Sequence, residues 1–173
     1  MIRLLALPTE SALVIATGRL ELRPLCGADA ETLFAILADP ALYEYTGDEP
    51  PASINALRKI YASREPRRSP DGTELWLNWV ISDRLSAEAI GYVQASVSTT
   101  GADVAWVVGS HWQNRGYASE AAAAVVEWLR GRGVTPIRAR IHPRHIASQR
   151  VAAKVGLRST GELRDGEEVW ILD

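Results

Sequence analysis

Val104-Ala105-Trp106-Val107-Val108-Gly109-Ser110-His111-Trp112-Gln113-Asn114-Arg115-Gly116-Tyr117-Ala118-Ser119-Glu120-Ala121 is the stretch whose reading decides the fold. Residues 104–108 are an uninterrupted apolar run, the pattern of a central strand covered on both faces. From Tyr117 to Arg130 the residues Tyr117, Ala121, Val125, Trp128 and Leu129 fall on one side of a helix. A short loop ending in Gly116 joins the two. The first amides of a helix have no intrahelical acceptor and lie at the positive end of its dipole, which makes such a terminus a binding place for anions, phosphate above all. Gly116 lets a ligand approach the backbone, Ala118 keeps the next turn small, and Arg115 adds a charge. The residues alone leave two readings open: an anion site, or an ordinary strand–turn–helix connection with a glycine in its turn.

Working outward, residues 89–98 and 75–82 read as a strand pair in front of this strand. Residues 137–141 form a further strand behind the helix. Residues 148–155 read as a short helix closed by Gly156. Residues 157–163 and 167–172 form a hairpin about Asp165-Gly166, a strong two-residue turn signal. Toward the start, residues 12–15 and 20–25 read as strands around Thr17-Gly18, with Pro24 marking a strand end or edge. Helices are expected from Asp29, stopped by Asp39-Pro40, and over residues 53–64, followed by a loop at 66–73. The fold class is α+β (mixed α/β): one domain over residues 1–173, built on a central twisted, mostly antiparallel sheet with flanking helices.

Composition narrows the function classes. The chain of 173 residues has 47% apolar and 23% charged residues and a formal net charge of −2. Nothing in that balance calls for nucleic acid or an anionic membrane as partner. The cluster at residues 64–68 is too short for a nucleic-acid footprint and reads as a solvated loop. The single cysteine, Cys26, rules out an internal disulfide and a Cys-rich zinc site, and it reads as a buried inert thiol. His111, His142 and His145 lack a carboxylate or thiolate at metal-ligand spacing, so no metal is expected. No apolar run approaches the roughly 18 residues of a membrane span, and the N-terminus has no secretory signal pattern; a cytoplasmic protein is expected.

Gln113-x-x-Gly116-x-Ala118, after an apolar strand and opening an amphipathic helix, resembles the acyl-CoA pyrophosphate loop of the GNAT superfamily of N-acetyltransferases. Trp112 to Ala121 resembles more narrowly the branch that acetylates ribosomal-protein N-termini, the RimJ/RimL-like proteins. Supporting matches are Leu20-Glu21-Leu22-Arg23-Pro24-Leu25, Ala147-Ser148-Gln149-Arg150-Val151, Lys154-Val155-Gly156-Leu157, and the closing Gly161-Glu162-Leu163-Arg164-Asp165-Gly166-Glu167. Together they span residues 19 to 172 in the family's order.

The resemblance implies acetyl-CoA as co-substrate, no metal, and a sheet splayed at the acyl-CoA site. It implies transfer of acetyl by direct attack of a primary amine, on a peptide N-terminus or a small molecule. Relatives commonly form homodimers, and that question stays open here. The alternative, a CoA-binding module for regulation or partner interaction without catalysis, has in its favour His145 where the family has Asn and the absence of Tyr from residues 148–155.

By resemblance, Gln113, Asn114, Arg115, Gly116, Tyr117 and Ala118 hold the pyrophosphate. The backbone of Trp106 and Val108 pairs with the pantetheine amides, and His145 stands at a pantetheine or acceptor contact. Asp103 is the candidate general base, with Glu44, Asp48 and Glu49 as rivals; a polar turn at Gly101-Ala102-Asp103 is its other reading. Ser148 is the candidate proton donor to the departing sulfur and alternatively an N-cap for a helix starting at Gln149. His145 is a second candidate donor. Tyr43 and Tyr45 are candidates for an acceptor wall.

Overall fold

A computed structural model describes residues 9–173. The chain runs α1 (Glu10–Leu13), β1 (Ile15–Ala16), β2 (Leu20–Pro24), α2 (Ala30–Leu37), α3 (Ile54–Arg64), β3 (Leu75–Asp83), β4 (Ala89–Ser98) and β5 (Gly101–Val108). It continues through α4 (Tyr117–Arg130), β6 (Ile137–Ile141), α5 (Ile146–Lys154), β7 (Arg158–Arg164) and β8 (Glu167–Leu172). The strands form one sheet in the order β1-β2-β3-β4-β5-β6-β8-β7, with β5–β6 as the parallel pair and all other neighbours antiparallel.

Alternation along β3 to β5 builds the main core. Leu75, Leu77, Trp79 and Ile81 share it with Val93, Ala95, Val97, Ala102 and Val104, beneath Ala121, Val125, Val126 and Leu129 of α4. Val80 faces the other way, into a second cluster with Leu33, Ile36 and Leu37 of α2 and Leu57 and Tyr61 of α3; Tyr92 and Val107 pack against that cluster. The sheet thus has α4 on one face and α2 with α3 on the other, a layered solution to burying both faces.

Three expectations need correction. The strand expected over residues 12–15 starts only at Ile15, opposite Leu22, and residues 12 and 13 belong to the helical turn Glu10–Leu13. The reason is two indoles. Trp79 Nε1 donates to the carbonyl of Leu13 (2.7 Å), and Trp128 Nε1 donates to that of Ala12 (3.0 Å), so these backbone acceptors serve tryptophans instead of a ladder. The polar turn foreseen at residues 101–103 is part of β5, whose Ala102 lies opposite Val97 and Asp103 opposite Ser96. Cys26 is half-buried rather than fully buried.

Asp29 opens α2 as its N-cap residue, as expected, but its side chain does not cap that helix. Asp29 also ends a 3-10 turn, Gly27–Asp29, and is 5% exposed, its carboxylate accepting hydrogen bonds from Arg23 and from the Cys26 amide (2.8 Å). Burial alone would raise its pKa, but the Arg23 and Cys26 hydrogen bonds and the Arg23 charge hold it below the usual 3.8. A lowered folded pKa means the stabilisation is complete above the unfolded value of about 3.9 and is lost as pH falls through the folded value. Asp29→Ala is expected to lower stability by about 2–3 kcal/mol at pH 7 in urea unfolding, since it strands a guanidinium and an amide. Asp29→Asn should flatten the stability–pH curve below pH 4; a variant curve parallel to the wild type there would refute the assignment.

The later elements follow the sequence closely. Gly156 (φ 91°) stops α5 as a left-handed glycine should, and Asp165 (φ 52°) and Gly166 (φ 84°) make the β7–β8 turn with two positive φ values. Among the described residues no helix is long and apolar enough to cross a membrane.

Candidate active site

The site begins where two parallel strands part. β5 and β6 pair only at Ala102–Ile137 and Asp103–Arg138. Beyond that, β4 keeps β5 as far as Val108, and β8 keeps β6 as far as Ile141. The segment 104–108 therefore presents one edge without a strand partner, in a cleft that opens toward the carboxyl ends of both strands. Trp106 and Val108 lie on this edge, with Trp106 half-buried and Val108 buried. An edge of this kind offers unsatisfied N–H and C=O groups to an extended ligand, much as an added strand would use them.

At the open end, β5 runs through a 3-10 turn (Ser110–Trp112) into the loop and α4. Gln113 closes the loop on its own strand, its Nε2 donating to the Val108 carbonyl at 3.0 Å. Asn114 (φ 62°) and Gly116 (φ 82°) are left-handed, and Gly116 is the N-cap of α4 without a side-chain cap. Among the described residues the amides of residues 114–119 have no hydrogen-bond acceptor; the first ladder bond here is Glu120 N to Gly116 O, 3.0 Å. This run of free amides at the positive end of a fourteen-residue helix fits a pyrophosphate. Gln113, Asn114, Arg115 and Gly116 are exposed, and Tyr117 and Ala118 half-buried.

A clamp that local reading missed holds this loop. Glu120, in the first turn of α4, accepts from Thr17 Oγ1 (2.6 Å), Arg19 N (2.9 Å) and Arg19 Nε (2.7 Å). Arg19 in turn donates from Nη1 to the Arg115 carbonyl (3.0 Å) and lies 4.5 Å above the Tyr117 ring. Tyr117 Oη donates to Asp83 at 3.4 Å. The β1–β2 turn is thereby tied to the loop across about 100 residues of chain. Burial would raise the Glu120 pKa, but the Thr17 and Arg19 donors outweigh it and lower the value. The carboxylate stays ionised and keeps Arg19 in place. Glu120→Ala is expected to cost only about 1 kcal/mol of stability, because Arg19 is half-exposed, yet to weaken acetyl-CoA binding about tenfold, near 1.4 kcal/mol. Calorimetric titration reads this directly; unchanged affinity would show that the clamp does not shape the loop.

On the β6 side, His145 is the N-cap residue of α5 and Ser148 lies inside the first turn. The N-cap expectation for Ser148 is thus corrected: the helix starts at Ile146, two residues before it, and Ser148 is half-buried, its hydroxyl without a hydrogen-bond partner among the described residues. The His145 ring stacks on Tyr45 at 4.8 Å and 27°. Asp103 is exposed at the closed end of the cleft, where β5 and β6 still pair. A strand rise of ~3.4 Å per residue sets it roughly 17 Å along the strand from Val108. Glu44, Asp48 and Glu49 are exposed in the segment between α2 and α3. Among the described residues no group of three His, Cys, Asp or Glu side chains is placed to hold a metal ion.

A family model described as an acetyltransferase (GNAT) domain matches residues 19–158. The chain belongs to the GNAT acetyltransferases. It is 29% identical over 157 residues to the N-acetyltransferase YoaA of Bacillus subtilis (strain 168), covering 87% of this chain and 86% of that protein. A local match to YnaD of the same organism, also named an N-acetyltransferase, is 37% identical over 73 residues; it covers 39% of this chain and only 43% of YnaD. Among solved structures, a GNAT-family acetyltransferase from Bacillus anthracis superposes with a TM-score of 0.76 at 19% identity, covering 92% of this chain and 97% of that one. Mycobacterium smegmatis RimJ, solved with CoA-disulfide, superposes with a TM-score of 0.75 at 22% identity, covering 88% and 81%. The GNAT protein described here is an N-acetyltransferase, and its loop and strand edge suit acetyl-CoA as the acetyl donor.

Proposed function

We propose that this GNAT protein transfers the acetyl group of acetyl-CoA to a primary amine, on a peptide N-terminus or a small molecule, by direct attack without a covalent enzyme intermediate. The observation that carries the reading is the cleft between β5 and β6. An unpaired strand edge at residues 104–108 runs directly into a loop whose free amides lie at a helix N-terminus. One extended ligand with an anionic end and a chain of amides satisfies both halves, and coenzyme A has that chemistry. Residues 113–118 hold the pyrophosphate, Arg115 adds charge, and the backbone of Trp106 and Val108 pairs with the pantetheine amides. Ser148, its hydroxyl not consumed by capping, is the donor to the departing sulfur, and Asp103 is the carboxylate that resemblance assigns to the proton of the amine. The acidic stretch of Glu44, Asp48 and Glu49 draws a cationic acceptor toward the cleft. Structural neighbours are named as a ribosomal-protein-serine and a ribosomal-protein-S5-alanine acetyltransferase, so seryl and alanyl peptides head the acceptor panel, with spermidine and an aminoglycoside as small-molecule controls.

Calorimetry with acetyl-CoA and with a pantetheine fragment lacking the pyrophosphate tests the donor half. Micromolar binding that disappears with the fragment supports the loop assignment. Release of free thiol with the amine panel tests the acceptor half. Binding with no turnover on any primary amine would reduce the protein to a CoA-binding module.

A further inference from the structure

The chain between α2 and α3 crosses the open end of the cleft and is fastened on both sides of it. On the β5 side, Ser110 Oγ, just past the strand end, donates to Asp39 Oδ2. Tyr43 Oη donates to the Leu37 carbonyl (2.9 Å). Leu42 of this segment packs on the same buried cluster as Tyr92 of β4 and Val107 of β5, which lie opposite each other, so the segment lies against the end of the β4–β5 pair. On the β6 side, Tyr45 stacks on His145 and comes within 5.5 Å of the His142 ring, both in the connection from β6 to α5. Residues 39–45 therefore span from the end of β5 to the loop beyond β6, and the His145 ring is held against that span at the mouth of the cleft.

The His145 side chain is not used by the fold. It caps nothing at the N-terminus of α5, and neither ring nitrogen has a hydrogen-bond partner among the described residues. His142 differs: its Nδ1 accepts from the Arg144 amide (3.2 Å). The loop carrying His145 is itself fixed, by His145 N to His142 O (2.8 Å) and by Gln149 Nε2 to Pro143 O (2.7 Å). A half-buried imidazole, oriented by a stacked ring and with both nitrogens unclaimed, is poised for proton transfer.

We propose that His145 takes the proton of the incoming amine and that Tyr45 is the residue that positions its ring. The inference rests on the acetyl-transfer reading above and replaces Asp103, at the closed end of the cleft, as proton acceptor. The amine nitrogen forms the C–N bond to the thioester carbonyl carbon, the C–S bond breaks, and the proton lost by nitrogen passes to imidazole. It then passes to the departing sulfur, directly or through solvent, leaving an amide and a free thiol. The surroundings agree with a neutral base: burial lowers the His145 pKa from 6.5, His142 lowers it further, and Glu44 opposes both. Tyr45, stacked on the ring, is the other polar side chain against it, and Tyr45 in turn lies under the influence of Glu44 and Arg144.

The test is the pH dependence of kcat/KM, measured by thiol release with saturating acetyl-CoA and whichever panel amine turns over fastest. The wild type should show an acidic limb below pH 6.5, and the same value should appear when the His145 imidazole is titrated by NMR. His145→Asn should lose that limb and drop kcat about 100-fold, with acetyl-CoA affinity within twofold. Tyr45→Phe should keep the rate, while Tyr45→Ala lowers kcat about tenfold and displaces the limb. A His145→Asn enzyme that keeps its limb and its kcat, or a limb that vanishes in Asp103→Asn instead, overturns the inference and leaves acetyl transfer standing. A wild type that binds acetyl-CoA and acetylates no amine overturns both.

Discussion

Gly116→Trp is expected to abolish acetyl-CoA binding, raising Kd more than 100-fold, a loss above about 2.7 kcal/mol, while the protein remains folded. The two consequences separate because of where the side chain would go. A Cβ built on Gly116 meets only Arg19 Nη2, at 3.5 Å, an ordinary contact, so nothing in the core resists it. The folded state bears only the left-handed backbone at φ 82°, worth about 1–2 kcal/mol for an L-residue, or a melting temperature lower by roughly 2–8 °C. The indole, however, occupies the approach to the amides of residues 114–119, which the proposed pyrophosphate needs. Gly116→Ala divides the effect, with the same backbone strain and about a tenfold loss of affinity. Calorimetry and thermal melts on both variants settle the matter. A tryptophan variant binding within threefold of the wild type would remove the loop from the donor site.

Much of this arrangement was legible because its determinants are local. The apolar run at residues 104–108, the one-sided helix Tyr117–Arg130 and the turn at Asp165-Gly166 each carry their own signal in spacing and turn chemistry, and the observed elements match them. The departures occur where the deciding partner is remote. Nothing between residues 12 and 15 announces that Trp79 and Trp128 will claim two of their carbonyls. Local signals place the start of α5 two residues late, because His145 is not a capping residue, and Ser148, which is, stands inside the first turn. The Arg19–Glu120 clamp is invisible locally, since an arginine and a glutamate 101 positions apart form one of many opposite-charge pairs. The Tyr45–His145 stack is equally hidden, because only the closing of residues 39–45 across the cleft brings the two rings together. The cleft itself was expected from resemblance alone. Its extent is fixed by strand partners, as β4 and β8 keep β5 and β6 apart beyond Asp103.

Gly91→Ala, a single added methyl on β4, is expected to damage both the fold and the site. Gly91 lies opposite Val108, and its Cβ would stand 2.0 Å from the Val107 carbonyl oxygen and 3.0 Å from Val108 Cα. Those obstacles are backbone atoms, which cannot rotate aside as a flexible side chain would. Either β5 moves away from β4, or the ladder breaks at its end. Overpacking of this sort costs about 1–3 kcal/mol, and a backbone clash belongs at the upper end; about 3 kcal/mol corresponds to roughly 6–12 °C in melting temperature for a chain of this size. Movement of β5 is directed into the cleft, because its other edge has no strand partner beyond Asp103. The Val108 carbonyl that receives Gln113 would move with it, and so would the loop. Acetyl-CoA affinity should therefore fall by more than the stability loss implies, even at temperatures where the variant is fully folded. Gly18→Ala is the control: its Cβ would meet nothing nearer than Glu120 Oε1 at 4.0 Å, and both measurements should stay at wild-type values. If Gly91→Ala melts with the wild type and binds acetyl-CoA as tightly, the close approach of β4 to the end of β5 is wrong, and with it the strand edge on which the donor site is built.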